Sequence, residues 1–359
     1  MHDNFKLLII YSVGIMMSEL LNIWKVKESE FPQTGTTEEK LKFILNYAIL
    51  APSSHNTQPW LFQIDSEAIY LYADRSRGLF VADPKERELI ISCGTALYNL
   101  RIALHHFGYK GQIITFPDPS NVNLLACIKL GYPIPESTDN KLLFSAIPKR
   151  HTNRNNYQWW DVPQSLLRWL QSDAEQEGTW LHIVRKGTVR HQVSELVVQA
   201  EHQLMADPNY RQELANWIRP ANSNTHDGIP GYAQGIDKHF DFATPLFALV
   251  LRTFDLGNSL AERSRKLIEQ SPAIVVLGTK NDTHSDWLAA GQALERILLR
   301  GQAVGLSCSF LNQPVQVPQS RSELGKVLSQ SGFPQIVLRL GFCKEVKPTP
   351  RRGVDEVLI

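Results

Sequence analysis

"APSSHNTQPWLF" (residues 51–62) decides how this chain is read. The segment before it, Glu39 to Leu50, carries Leu41, Ile44, Leu45, Ala48 and Ile49 at helical spacing. A flexible linker after that helix would be rich in Gly and Ser or in charge. Here two prolines bracket serines, a histidine, an asparagine, a threonine and a glutamine, and a tryptophan follows. Prolines pre-set the backbone and lower the ordering cost of binding. The stretch therefore reads as a rigid polar rim built to hold something. Trp60 is assigned to the core, where tryptophan is mostly buried. His55, a lone loop histidine, is a candidate proton donor.

Around that rim the composition is that of a soluble globular protein. The chain has 359 residues, 43% of them hydrophobic, enough for a large core. Its 37 Lys+Arg against 36 Asp+Glu leave a net charge of +1, which lacks the basic excess of a nucleic-acid binder. Cys93, Cys127, Cys308 and Cys343 form no C-x-x-C pair and have no histidine cluster beside them. That spacing argues against a disulfide framework or a zinc site and fits a reducing, cytoplasmic setting. The apolar run Leu7–Met17 is shorter than the roughly 20 residues a bilayer span needs. No A-x-A cleavage site follows it. The preferred reading is translation from Met16 or Met17 rather than a membrane anchor, so no stable membrane insertion is expected.

The chain also repeats itself. "CGTALYNLRIALHHFGY" (93–109) aligns with "AGQALERILLRGQAVGL" (290–306), matching Gly94 with Gly291, Ala96 with Ala293, Leu97 with Leu294 and Gly108 with Gly305. Both read as apolar helices ending at a glycine cap. Each leads to β-like segments, "QIITF" then "LACIKLGY" in the first case, "CSFL" then "IVLRLGF" in the second. Earlier, a helix followed by "WLFQI" matches a helix over 163–176 followed by "WLHIV". From Trp60 to Gly94 is 34 positions and from Trp180 to Gly291 is 111, so the second copy carries about 77 extra residues. Long insertions of this kind are usually lids or binding loops. The expected division is an N-terminal extension over 1–35, a first half over 36–145, and a second half over 146–359 with an inserted lid at about 188–265. Two similar α+β units in one chain make a fused pseudo-dimer, with a site between them.

Two basic segments complete the pattern. In "PKRHTNRNNY" (148–157), Arg150, Thr152 and Arg154 alternate, which puts two guanidinium forks and a hydroxyl on one face of an extended segment. Such a face suits a phosphate dianion. "KPTPRRGVDEVLI" (347–359) adds Arg351 and Arg352 after a proline. Asp83 and Arg87, four apart at a helix start, are expected to pair.

P-S-S-x-N-x-Q-P-W after the first helix, R-x-T-x-R opening the second half and a basic C-terminal segment together resemble the FMN-dependent nitroreductase superfamily. The match is best to its double-length, Acg-like branch, over roughly residues 36–359. The resemblance implies an α+β fold whose mostly antiparallel sheets are flanked by helices, with FMN at the interface between units. It places Arg150, Thr152, Arg154 and one of Arg351 or Arg352 on the phosphate side. Pro52, Ser53, Ser54 and Asn56 match the loop that touches the flavin. Asn312 and Gln313, in "SFLNQP" (309–314), fall in the segment expected near the reactive flavin nitrogen.

The loop equivalent to 51–60 in the second half, "AEQEGTW", lacks the Pro-Ser-Asn element, and "KVKESEFPQTGTT" (25–37) lacks R-x-T-x-R. Each half keeps what the other lost, so one FMN per chain is expected. The implied activity passes a hydride from NAD(P)H to FMN and then to a nitroaromatic or quinone-type acceptor, by ping-pong alternation. No side chain need act as a nucleophile. The alternative is a catalytically weak protein that sequesters FMN under its lid. A monomer, already a pseudo-dimer, and a homodimer both fit.

Overall fold

A computed structural model describes residues 21–220, 223–234 and 244–359. The apolar run Leu7–Met17 and part of the Gly/Pro/Asn-rich stretch 219–242 lie outside the described residues.

Helix α1 (Thr37–Ala48) starts at a reciprocal cap: Glu39 donates its backbone N–H to Thr36 Oγ1, and Thr36 donates its own to Glu39 Oε2 at 2.7 Å. It buries Leu41, Ile44, Leu45 and Ala48, the stripe its spacing laid out. The rim loop follows. Strands β1 (Trp60–Asp65) and β2 (Ala68–Ala73) then form a hairpin. Next come the long helix α2 (Arg87–His106), strands β3 (Tyr109–Thr115) and β4 (Leu124–Pro133), and helix α3 (Thr138–Ala146). All neighbours in this sheet are antiparallel, in the order β1-β2-β4-β3.

The second half repeats the plan. Helix α4 (Gln164–Gln176) leads to β5 (Trp180–Val184). The insertion sits here, where the first half has only a tight turn. It brings α5 (Thr188–Ala206), α6 (Pro208–Asn216), the short pair β6 (Ile218–Arg219) and β7 (Ile229–Pro230), α7 (Thr244–Thr253) and α8 (Gly257–Gln270). The sheet resumes with β8 (Ala273–Thr279), helix α9 (His284–Ala303) and β9 (Ser307–Phe310). Two helices, α10 (Gln313–Gln316) and α11 (Pro318–Val327), precede β10 (Phe333–Gly341). This sheet is also antiparallel, in the order β5-β8-β10-β9, the same order as the first.

The two halves meet at α2 and α9. A Cβ on Gly291 would lie 2.0 Å from the Ile91 carbonyl oxygen, and one on Gly94 would lie 2.4 Å from that of Leu288. The aligned glycines therefore touch each other at the crossing, where only hydrogen side chains let the backbones approach this closely. A single core runs through both halves, joining Ile44, Leu97 and Ile128 to Leu277, Leu294 and Leu338. Trp60 is fully buried in it.

The chain end returns to the first half. Ile359 donates its N–H to the Phe62 carbonyl at 2.8 Å, and Leu358 bridges Phe62 in parallel. Short helix α12 (Val354–Val357) lies just before this return. The crossing carries Arg351 and Arg352 to the rim loop. Asp83 and Arg87 do not pair as expected. Asp83 Oδ2 instead accepts the Leu89 backbone N–H at 2.9 Å, while Arg87 donates to Gln335, Glu88 and the Val315 carbonyl. An unpaired N–H in the first helical turn attracts the aspartate, and buried carbonyls claim the guanidinium.

Candidate functional site

The rim loop owes its shape to strained backbone. His55, Asn56 and Gln58 all have positive φ (50°, 57° and 53°), a region non-glycine residues seldom occupy. Neighbouring groups hold it there. Thr95 Oγ1 donates to the Pro52 carbonyl at 2.7 Å, and Ser54 Oγ donates to Glu88 Oε2 at 2.6 Å. Gln58 donates its backbone N–H to Ser53 Oγ at 2.9 Å. Strain kept in place by surrounding bonds is characteristic of ligand-holding segments.

Opposite in sequence, the segment 150–154 runs beside β9. Thr152 bridges Cys308 in parallel, and Asn153 donates its N–H to the Cys308 carbonyl at 3.0 Å. Between these pieces lies a cavity of about 400 Å³. Pro52, Ser53, Ser54 and His55 line it from the first half, and Thr152, Arg154, Asn312 and Gln313 from the second. The insertion closes it with Tyr210, Leu214, Ile218, Phe247, Leu251 and Leu260, a mostly apolar wall.

A smaller recess of about 40 Å³ shares Pro52, Ser53, Thr152 and Arg154 with this chamber. Arg150, Lys347 and Arg351 also face it, so four cations surround one small space. Arg351 is 4% exposed; burial, with Arg150 beside it, pushes its guanidinium down to about 9. Burial and the neighbouring Arg263 and Arg339 push Arg154 down to about 10. Among the described residues, Glu295 stands against this charge: its Oε1 lies 3.4 Å from Arg150 Nε, and burial drives Glu295 up to about 7 despite that arginine. The Nε atoms of Arg150 and Arg351 and Nδ1 of His151 are buried without hydrogen-bond partners. Concentrated positive charge with unmet donors is what an anion would satisfy.

The remaining residues singled out in the sequence are placed as follows. Asn56 reaches the recess, but its amide is spent within the protein: it donates to the Gly228 and Pro350 carbonyls and accepts from Arg351. Asn312 Oδ1 accepts the Val337 N–H, which orders the turn before Gln313. Of the two C-terminal arginines, Arg351 faces the recess. Arg352 donates to the Gln58 and Glu356 carbonyls and lines neither space. His55 lines the chamber with Nδ1 unpartnered, and burial with the nearby Arg154 pushes it down to about 4, so it is neutral at pH 7. Sequence reasoning missed Glu88, Glu201, Glu295 and Lys347. For Glu201 one signal existed, an acidic residue on the same side of α5 as Val193 and Val197.

At the position related by the repeat, Thr95 corresponds to Gln292. There Gln292 Oε1 accepts from Arg101 at 2.9 Å, Arg101 also donates to Glu177, and Arg296 donates to Asp173 and Glu177. Where Thr95 holds the Pro52 carbonyl in the first half, the second half has a network of ion pairs.

No family model matches the chain. A Mycobacterium tuberculosis H37Rv protein, Rv3131, which carries the name of an NAD(P)H nitroreductase, is 30% identical over 326 residues, covering 89% of this chain and 91% of its own length. The chain belongs to the NAD(P)H nitroreductase family. Two further members share its length: Acg of Mycobacterium tuberculosis, 25% identical over 336 residues (91% of this chain, 97% of Acg), and PigM of Serratia sp., 26% identical over 337 residues (90% of this chain, 94% of PigM). Among solved structures, the nitroreductase NfnB of sphigopyxis sp. strain HMH overlaps 60% of this nitroreductase-family chain and 96% of its own, at 17% identity and a TM-score of 0.40. Among the described residues, no helix is long and apolar enough to cross a membrane.

Proposed function

We propose that this nitroreductase-family chain is an FMN-dependent NAD(P)H oxidoreductase with one FMN site, formed between halves 36–145 and 146–359. The observation that carries this reading is a chamber and a charged recess walled by the same residues, Pro52, Ser53, Thr152 and Arg154. An apolar-walled chamber of about 400 Å³, within the usual range for cofactor sites, adjoins a recess faced by Arg150, Arg154, Lys347 and Arg351. That donor set fits a flat aromatic ring system ending in a phosphate. Arg150, Arg154 and Arg351 would neutralise the phosphate. Thr152, Ser53 and Ser54 would meet the polar groups of the side chain and ring. Asn312 and Gln313 would border the ring's reactive edge, and the absence of a Pro-Ser-Asn element from the loop 174–180 supports a single site. When bound, FMN would supply the redox chemistry, taking hydride from NAD(P)H and passing electrons to a nitroaromatic or quinone-type acceptor in alternation. The protein's work is to fix the ring, neutralise the phosphate and exclude water.

A titration of wild type with FMN and with riboflavin, which lacks the phosphate, tests this directly. The expected result is one FMN per chain, bound at least about tenfold more tightly than riboflavin, since a hydrogen bond to a charged group contributes about 1.5–3 kcal/mol. Arg154→Gln should lower FMN affinity and leave riboflavin affinity nearly unchanged. Equal affinity for the two ligands in wild type would overturn the phosphate assignment.

A second reading rests on how firmly the insertion is tied down. Asn56 donates to Gly228, Gln58 to the His226 carbonyl, Tyr232 to the Pro348 carbonyl, and Arg77 pairs with Asp227. A cover tied down in this way favours sequestration of FMN over turnover. Anaerobic NADPH and NADH separate the two: bleaching of the bound flavin followed by reoxidation with a quinone supports the oxidoreductase, and a flavin that stays yellow supports the sequestering protein.

A further inference from the structure

A carboxylate that no sequence motif marked stands in the chamber wall. Glu201 comes from α5 of the insertion, where Val193, Val197 and Ala200 share the buried side of the helix. It is 7% exposed and lines the 400 Å³ cavity. Gln313 Nε2 donates to its Oε2 at 2.6 Å, and Ser264 Oγ to the same atom at 3.2 Å. Both donors are neutral and both bonds use Oε2, so Oε1 is the oxygen placed to carry a proton.

The other carboxylate of the chamber is built differently. Glu88 Oε1 lies 3.2 Å from Arg87 Nη2, and its Oε2 accepts from Ser54 and Gln316. Glu201 has no ion pair among the described residues, and burial raises it above the usual glutamate range. Arg263, on α8, acts in the opposite sense. Among the described residues, the remaining titratable groups of the cavity are His55 and Arg154 of the facing segments and Tyr210 of α6. His55 is held neutral and Arg154 keeps its proton at pH 7, so neither is a ready acid there. Two carboxylates with opposed environments are the arrangement that assigns one of them as the acid.

We propose that Glu201 delivers the proton that the electron acceptor needs when it is reduced in this chamber. The inference rests on the oxidoreductase reading above. A quinone-type acceptor takes a hydride, with its electron pair, from the reduced cofactor at one carbonyl oxygen. The O–H bond of Glu201 breaks, and a new O–H bond forms at the second carbonyl oxygen, giving the hydroquinone. Glu201 is left as a carboxylate, and water reprotonates it before the next cycle. The same residue then favours acceptors that combine an apolar body with an exposed oxygen, since Leu251, Leu260 and Phe247 line the same chamber.

The test compares wild type, Glu201→Gln and Glu201→Asp, each loaded with FMN, in reoxidation by a quinone and by ferricyanide, a one-electron acceptor that takes up no proton. Glu201→Gln should slow quinone reoxidation roughly 10²-fold or more, the usual span for general acid catalysis, and leave ferricyanide reoxidation within about twofold. Glu201→Asp should restore part of the quinone rate. The FMN dissociation constant should change by less than about threefold in both. On the protein without cofactor, the infrared band of a protonated carboxyl should persist above the pH at which ordinary glutamates ionise, and Glu201→Gln should remove it.

Equal losses with both acceptors, or no loss with either, would overturn the proposal. Should Glu201→Gln not fold, Glu201→Asp carries the test, with a selective fall on quinone expected and an equal fall on both acceptors against it. A wild type that binds no FMN overturns the oxidoreductase reading and this inference together. A wild type that binds and turns over while both variants match it overturns this inference alone.

Discussion

At the scale of single residues, the site stores charge and protonation in places where water is scarce. His55 ionises near pH 6.5 in an unfolded chain and is pushed down to about 4 in the fold. Between those values the unfolded chain binds a proton that the folded chain refuses. Stability from this group is therefore full above pH 6.5 and is lost as pH falls toward 4. His151, pushed down to about 3 by burial and by Arg150 and Arg351, acts in the same direction. Asparagine tolerates positive φ and does not titrate. His55→Asn should therefore lose about 2 kcal/mol less than wild type between pH 7 and pH 4.5, measured by urea unfolding at both values. Identical losses would show that His55 is already protonated in the fold. Glu295 behaves in the opposite sense. Raised to about 7, it costs stability as pH climbs through the range 4.5 to 7, because the unfolded carboxyl ionises first. Glu295→Gln should flatten that part of the profile, because burial outweighs the opposing charge of Arg150.

At the scale of elements, the crossing of α2 and α9 sets how close the halves come. Gly291→Ala would drive a methyl group into the Ile91 carbonyl 2.0 Å away, against backbone that has no room to turn aside. Overpacking of this kind costs about 1–3 kcal/mol or more. Gly305 is a useful contrast, because its positive φ (77°) is strained for alanine but its surroundings are open. Unfolding experiments should show Gly291→Ala losing more stability than Gly305→Ala, which pays mainly for left-handed backbone, about 1–2 kcal/mol. Besides the buried apolar clusters it shares with β8, β10 and Leu79, the insertion is tied to the rim loop by polar contacts, with Arg77 bonded to both Thr57 and Asp227. Arg77→Ala should speed limited trypsin cleavage at Arg219 severalfold while the melting temperature moves little. Unchanged cleavage would mean that the apolar wall, not the polar ties, holds the cover down.

At the scale of the whole molecule, the shared core makes the two halves one cooperative unit. Leu97 and Leu294 belong to a single buried cluster, and the C-terminal residue returns to β1 of the first half. A fragment spanning 36–145 would expose the face of α2 that packs on α9 and should not fold alone. The full chain should unfold in urea in one transition by both fluorescence and circular dichroism. Two separated transitions would mean that each half carries enough buried surface by itself.

Much of this plan was legible along the chain. Helical spacing before Pro52, glycine pairs at a constant offset and the β-like runs after them are local signals, because helix and strand periods are written in neighbouring residues. The rim loop and the alternating Arg150, Thr152 and Arg154 could be picked out for the same reason. What the sequence alone could not decide was which separated residues meet. Arg351 rather than Arg352 turns to the recess because the tail is pinned at Phe62 and at Gln58, both far away in sequence. Asp83 caps a helix instead of pairing with Arg87 because buried carbonyls around Gln335 and Val315 take the guanidinium. Glu201 joins the chamber only because the insertion folds across it. The local pattern determined the elements and their duplication; burial, which depends on contacts between distant segments, decided the charge, protonation and neighbours of the groups that line the site.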